Sequence, residues 1–326
     1  MRRHRRIVAL RRGILVAVLA AAVFGGFILY GDVGELSANL GAYAWWTFGA
    51  ACGLALLNYA LRFAKWHYYL RCLEIRVPVG ESATIFLAGF VMSITPAKLG
   101  EVLKAALLRD RGRATIAESA PVVIAERLTD VVALVLLLCV GVFTYQMGGV
   151  VVVVAAALVL AFVVVVGSRR LMNAIIARLP VRIRPKVSEA YASMARLVTP
   201  RPLAVGAVLS VAAWFAECAG FWVVCRGFPG APSVSIEIAT FIYALATLAG
   251  ALSMLPGGLG VTEGSMAGML QLMVAGFAKA PAVVATLLVR FATLWFAVAI
   301  GFVALAFFRT RYPAIPQVET AARIKS

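Results

Sequence analysis

The stretch Pro256-Gly257-Gly258-Leu259-Gly260 separates two apolar runs, Ile238–Leu255 and Thr262–Phe277. Each run is shorter than the roughly 20 apolar residues that a transmembrane helix needs. Proline has no amide hydrogen and glycine tolerates positive φ, so this stretch is expected to end a helix. We therefore predict a helix that enters the membrane from outside, breaks at Pro256 and turns back. Such breaks survive at membrane depth only where protein or water covers the freed backbone groups.

A second break is predicted earlier in the chain. The uncharged run Ser82–Ala97 closes at Thr95-Pro96, and a polar amphipathic stretch, 98–113, follows it. Ser93–Gly100 aligns with Ser253–Gly260, with Ser, Pro, Leu and Gly identical. A chance match in a chain rich in Ala, Gly and Leu is the competing explanation. We predict an inverted repeat in which Thr95–Lys104 is reached from the cytoplasm and Met254–Gly264 from outside.

Composition sets the class of protein. Hydrophobic residues make up 63% of the 326-residue chain and charged residues 14%, against about 45–50% and 25% in soluble domains. The chain is therefore expected to be an all-α integral membrane protein. The net charge of +17 is explained by cytoplasmic loops rich in Lys and Arg, so no nucleic-acid partner is expected.

Apolar runs and charge clusters divide the chain. We predict about six full transmembrane helices plus two re-entrant broken helices, or alternatively eight transmembrane helices. A basic cytoplasmic N-terminus (1–12) precedes the membrane domain (13–308), which is followed by a cytoplasmic tail (309–326). The expected repeat halves are about 36–145 and 202–308, joined by a basic cytoplasmic loop, 169–201. Arg62, Lys65, Arg71 and Arg76 are assigned to the cytoplasmic end of the second helix.

Charged residues inside apolar spans are the first candidates for function, because a charge near the bilayer centre costs about 2.5–3.5 kcal/mol on insertion scales. They are Glu126, Arg127, Asp130, Glu217, Glu263 and Arg290. Arg127 and Asp130 are three residues apart and can pair on one helix. Glu217 and Arg290 have no partner within one helical turn of their own helix. Mutual neutralisation in a packed bundle is the alternative to a functional role.

Other motifs are sparse. The sequence contains no G-x-x-x-x-G-K-[ST] loop, so ATP hydrolysis is not expected. The five cysteines are scattered and the two histidines are far apart, so we predict no metal site and no cofactor. Lys98 and Lys104 at the first break offer point charges for an anion, although a solvated cytoplasmic face would also explain them.

Three motifs together resemble the lysylphosphatidylglycerol synthase transmembrane (flippase-like) family. They are Thr95-Pro96 with Gly100-Glu101, Glu126-Arg127 with Asp130, and Pro256–Gly260 with Glu263. The resemblance covers roughly residues 10–310. It implies translocation of a polar-headed lipid between leaflets of the bacterial inner membrane. The basic residues near both ends of the chain predict that both termini are cytoplasmic. The sequence ends at Ser326, so we expect a membrane domain without the aminoacyl-transferase domain of the synthases.

The expected function is therefore that of a phospho- or glycolipid flippase or transporter that does not hydrolyse ATP. A non-transporting membrane partner of a lipid-modifying, hopanoid or glycolipid pathway and a headgroup-modifying enzyme remain alternatives. The expected partners are the lipid substrate and anionic lipid at the basic cytoplasmic loops. The candidate substrate-binding or translocation residues are Pro96, Lys98, Gly100, Glu101, Lys104, Glu126, Arg127, Asp130, Glu217, Pro256, Gly257, Gly258, Gly260, Glu263 and Arg290.

Overall fold

The computed structural model describes residues 25–26, 32–95, 102–145 and 149–313. Within these ranges the chain forms helices and no strand, which confirms the all-α membrane class. The helices before the basic segment are α1 (Val33–Ala42), α2 (Trp45–Cys72), α3 (Val79–Ala88), α4 (Leu103–Asp110), α5 (Ile116–Tyr145) and α6 (Gly149–Gly167). The later ones are α7 (Arg169–Ala177), α8 (Arg184–Leu197), α9 (Pro200–Cys225), α10 (Ile236–Leu252), α11 (Val261–Met273), α12 (Lys279–Arg290) and α13 (Phe296–Arg311).

Two helices among the described residues are long and apolar enough to cross a membrane. They are Pro200–Cys225 and Lys279–Arg311, the latter formed by α12 and α13 joined through a π-helical turn. Two bent pairs also qualify if each is one span: α1 with α2, bent by 84°, and Val152–Gly167 with α7, bent by 74°. The expected first span lies almost entirely outside the described residues. The number of crossings stays a prediction.

The break at Pro256 is confirmed. Helix α10 ends at Leu252, a 3₁₀ turn occupies Pro256–Gly258, and α11 begins at Val261. Gly257, Gly258 and Gly260 have φ of 62°, 68° and 85°, a region that side chains with a Cβ rarely adopt. Helices α10 and α11 pack against each other, so the chain reverses at this break.

The earlier break differs from its expected position. Helix α3 ends at Ala88 and tightens into a 3₁₀ turn over Gly89–Met92, before Pro96 is reached. The candidate residues Pro96, Lys98, Gly100 and Glu101 lie outside the described residues.

The basic segment expected to join the two repeat halves is largely helical. Residues 169–201 contain α7 and α8. Ser168 caps α7 by accepting a hydrogen bond from the Leu171 amide at 3.5 Å, and Met194 of α8 is buried where α8 packs on α5. The apolar residues of α8 pack inward, so this segment forms a helix despite its many arginines. The turn expected near residues 146–149 falls mostly outside the described residues, since α5 ends at Tyr145 and α6 begins at Gly149.

The described residues fall into two compact units that alternate along the sequence. Unit 1 contains residues 32–55, 93–95 and 217–296, and unit 2 contains residues 56–92, 102–216 and 297–313. Each unit contains buried charged side chains that pair with one another.

Candidate functional site

Arg290 lies against the helix break in unit 1. It is at the end of α12 with only 8% of its surface exposed. Its Nε donates to Glu263 Oε1 at 2.6 Å, and its Nη2 donates to the carbonyl oxygen of Gly257 at 2.7 Å. The guanidinium thus bridges the Glu263 carboxylate and the Gly257 carbonyl oxygen, a backbone group that has no helical partner at the break.

Glu263 completes the same cluster from the first turn of α11. The side chain is fully buried, and its Oε2 accepts a hydrogen bond from the Gly260 amide at 2.7 Å. Its two oxygens therefore bind a cation and a backbone amide at the helix N-terminus, where the helix dipole favours negative charge. Glu263 lies close to the break along the sequence. Its partner Arg290 lies 27 residues further on, so the pairing could not be read from local spacing.

Glu217 finds its partner on another helix of unit 1. It lies on α9, is 7% exposed, and its Oε2 accepts a hydrogen bond from the Tyr243 hydroxyl of α10 at 2.7 Å. Tyr243 was not among the predicted site residues. In the sequence, Tyr243 is marked only by its hydroxyl group within an apolar run.

Lys65 is the centre of the cluster in unit 2. Its Nζ donates to Asp130 Oδ1 at 2.7 Å and to Ser210 Oγ at 2.6 Å. It also donates to Thr129 Oγ1 and to the Glu126 carbonyl oxygen, each at 3.3 Å. Lys65, which the sequence groups with the basic residues at the end of the second helix, is fully buried within α2, and that helix continues to Cys72.

The sequence contained a signal for this burial that was overlooked. After Lys65, the helical face continues with Trp66, Tyr69 and Leu70, all fully buried. Ser210 and Thr129 were not predicted as site residues. A hydroxyl in an apolar helix does not indicate a functional role unless its partner, here Lys65, is known.

A second ion pair joins α4 to α5, the helix that carries Asp130. Lys104 Nζ contacts Glu126 Oε2 at 2.5 Å, and the ammonium lies 4.5 Å from the centre of the Trp66 ring and 5.2 Å from that of Phe86. Gly89 permits this position, since a Cβ there would come within 2.7 Å of Lys104 Cγ. Lys104 is thus a buried partner of Glu126, not a residue on a solvated face.

The predicted pair of Arg127 and Asp130 is present, with 3.4 Å between Nη1 and Oδ2. The Arg127 side chain is 26% exposed, whereas that of Asp130 is 5% exposed. Asp130 therefore receives two cations, the buried Lys65 and the more accessible Arg127. Arg127 is thus the most exposed of the three cations that contact Asp130 or Glu126.

The predicted site residues that the structure describes thus form two separate sets. Unit 1 brings together Pro256, Gly257, Gly258, Gly260, Glu263 and Arg290, with Glu217 paired nearby along the chain to Tyr243. Unit 2 brings together Lys104, Glu126, Arg127 and Asp130, with Lys65, Thr129 and Ser210 added. In the described part of the chain, no three His, Cys, Asp or Glu side chains are grouped as metal ligands.

Comparison with known proteins identifies the family. No curated protein matches the chain. A family model described as the lysylphosphatidylglycerol synthase transmembrane region matches residues 14–301, which is most of the sequence. The match contains the broken helix, both buried clusters and the basic helices α7 and α8. The chain belongs to the lysylphosphatidylglycerol synthase transmembrane region family.

Proposed function

We propose that this multi-pass membrane protein moves a lipid with a polar, phosphate- or sugar-containing headgroup between leaflets without hydrolysing ATP. The observation that carries the proposal is the bridge from Arg290 to Glu263 and Gly257 at the broken helix. A charged pair at a helix break inside apolar segments is costly and is characteristic of substrate paths in membrane transporters.

The chemistry at the break suits a phosphate. A guanidinium binds a phosphate through two parallel hydrogen bonds, as it does a carboxylate. Arg290 can therefore exchange the Glu263 carboxylate for a lipid phosphate. Gly258 allows the break to pack closely against Gly250 and Thr262, and the N-terminus of α11 favours an anion.

Glu263 is the proposed proton-coupled residue. When Arg290 turns to a phosphate, Glu263 loses its cation but keeps the Gly260 amide. An unpaired carboxylate in a buried site is costly, and this cost is the proposed link between headgroup binding and a coupling ion. Glu217 is the alternative coupling residue, since its partner Tyr243 is a neutral donor.

The cluster in unit 2 supports a transport role over an enzymatic one. Glu126 and Asp130 are each paired with a buried lysine, so each carboxylate already has a counter-charge of the kind that neutralises charges in membrane interiors. We propose that Arg127 offers a second contact for headgroups. We further propose an inner-membrane location with the basic residues of 169–201 on the cytoplasmic side.

Variants at the break test the proposal in vesicles. Purified protein is reconstituted with a fluorescent phospholipid, and movement between leaflets is followed by chemical quenching of the outer leaflet. Glu263→Gln and Arg290→Ala are each expected to lower the rate by about tenfold or more, because each removes a charge-assisted contact. The matched controls are Glu237→Gln and Arg309→Ala, at exposed positions, which should translocate as the original protein does.

Thermal unfolding in detergent accompanies each variant, because Arg290→Ala leaves a buried carboxylate without its cation. Folded Glu263→Gln and Arg290→Ala proteins with unchanged rates would remove the break from the mechanism.

A further inference from the structure

An open apolar groove runs between α3 and α13 in unit 2. It encloses about 430 Å³ and is lined by Thr84 and Leu87 of α3 and by Ile300, Val303, Ala304 and Phe307 of α13. The only hydroxyl of this set, that of Thr84, donates to the Gly80 carbonyl at 2.8 Å, so the walls present no free polar group. A groove with such walls fits a hydrocarbon chain.

The two helices meet closely beside the groove. At Gly301 of α13, a Cβ would lie 2.6 Å from the Val91 amide nitrogen and 3.0 Å from the Phe90 carbonyl carbon. Leu87 and Thr84 follow on α3 in the direction away from this contact, towards the start of that helix. The groove therefore opens towards the start of α3 and the end of α13.

That open end carries a cluster of charged side chains. Glu81, one turn before Thr84, binds Arg111 through Oε1 at 2.9 Å and Arg113 through Oε2 at 2.7 Å. Arg111 also donates to the Pro313 carbonyl at 2.7 Å, and its guanidinium lies 5.5 Å from the centre of the Tyr312 ring. Arg111 thus joins the start of α3 to the residues that follow α13.

The charge at this end is positive. Two guanidinium groups face one carboxylate, and Arg311 lies four residues after Phe307, on the same side of α13. Arg311 is exposed. An apolar groove that ends in excess positive charge has the two chemistries of an anionic phospholipid, an acyl chain and a phosphate.

We propose that the groove between α3 and α13 binds one anionic phospholipid of the surrounding leaflet, with an acyl chain along Leu87, Ile300 and Phe307 and the phosphate at Arg111, Arg113 and Arg311. This site shares no residue with the break at Pro256 and does not rest on the proposed function. Its lipid is bound whether or not the protein translocates any.

The test is native mass spectrometry of the full chain in mild detergent, titrated with phosphatidylglycerol and separately with phosphatidylcholine. The original protein is expected to retain phosphatidylglycerol preferentially. Arg311→Glu should lower its apparent affinity by about tenfold, the effect of one charge-assisted contact. The control is Arg309→Glu, which makes the same charge change two residues away, on another side of the helix, and should bind as the original does.

The acyl-chain half of the site has its own pair of variants. Val303→Trp fills the groove at a position that is 72% exposed, so the fold tolerates it, and it should also weaken phosphatidylglycerol binding. Ala306→Trp places the same side chain on an exposed position outside the groove and should have no effect. Equal retention of the two lipids, or equal effects of each variant and its control, would overturn the proposal.

Discussion

The ammonium of Lys65 lies 2.7 Å from the carboxylate of Asp130, and both side chains are withdrawn from the surface. Two hydroxyls and a backbone carbonyl oxygen complete the surroundings of the ammonium. This pair connects α2 to α5, and the hydrogen bond to Ser210 adds α9. These buried charges therefore join three helices, α2, α5 and α9.

Lys65→Met should destabilise the protein strongly, because it leaves Asp130 buried with a weaker set of partners. We expect a loss of about 3–5 kcal/mol in the free energy of unfolding. Combining Lys65→Met with Asp130→Leu should cost much less than the sum of the single changes. Unfolding in detergent measures all three variants.

The exposed pair of Arg196 and Glu74, 3.6 Å apart, is the control for the Lys65 and Asp130 variants. Its disruption by Arg196→Ala should change the free energy of unfolding by no more than about 0.5 kcal/mol. Additive effects of the Lys65 and Asp130 changes would show that the two residues do not act as a pair.

Gly258→Ala should destabilise the break at Pro256. Gly258 has a φ of 68°, and an added Cβ would lie 2.5 Å from Thr262 Oγ1 and 3.2 Å from Gly250 Cα. The left-handed backbone alone costs a residue with a Cβ about 1–2 kcal/mol. Gly268→Ala, in the middle of α11 with open space at its Cβ, should not destabilise. Thermal unfolding of both variants distinguishes a required glycine from a tolerated one.

Arg111→Gln should loosen the end of α13. The substitution removes the hydrogen bonds to Glu81 and Pro313 and the stacking on Tyr312. Amide hydrogen exchange at residues 308–312 should accelerate, consistent with a loss of about 1–3 kcal/mol. Arg109→Gln changes a residue whose side chain is 42% exposed and pairs with its neighbour Asp110, so exchange there should not change. The same acceleration in both variants would contradict a specific role for Arg111.

The inverted repeat predicts that the two breaks are reached from opposite faces. Single cysteines at Thr95 and at Leu255, which is 40% exposed, would be placed in a chain whose five native cysteines are replaced. An impermeant maleimide should label the first from the cytoplasmic side and the second from outside. Labelling of both from one side would leave a bundle without inverted symmetry.

Local chemistry made part of this structure predictable. Pro256 and the glycines after it stop a helix by their own backbone properties, and the apolar composition requires a membrane. The helical structure of the basic segment was less predictable, because α7 and α8 form among its arginines.

The buried clusters depend on distant residues. The burial of Lys65 requires Asp130 and Ser210, which lie 65 and 145 positions away along the chain. Tyr243 is 26 positions from Glu217. Spacing within one helix predicted the pair of Arg127 and Asp130, but no spacing rule reaches a partner on another helix.

Movement of a headgroup-labelled phospholipid in nucleotide-free vesicles tests the central claim most directly. Vesicles that contain the purified protein are compared with protein-free vesicles of the same lipids, and a membrane-impermeant quencher reads the outer leaflet over time. With the protein present, lipid from the inner leaflet is expected to reach the quencher without ATP. Quenching that stops at the outer-leaflet fraction in both preparations, with the protein folded, would contradict it.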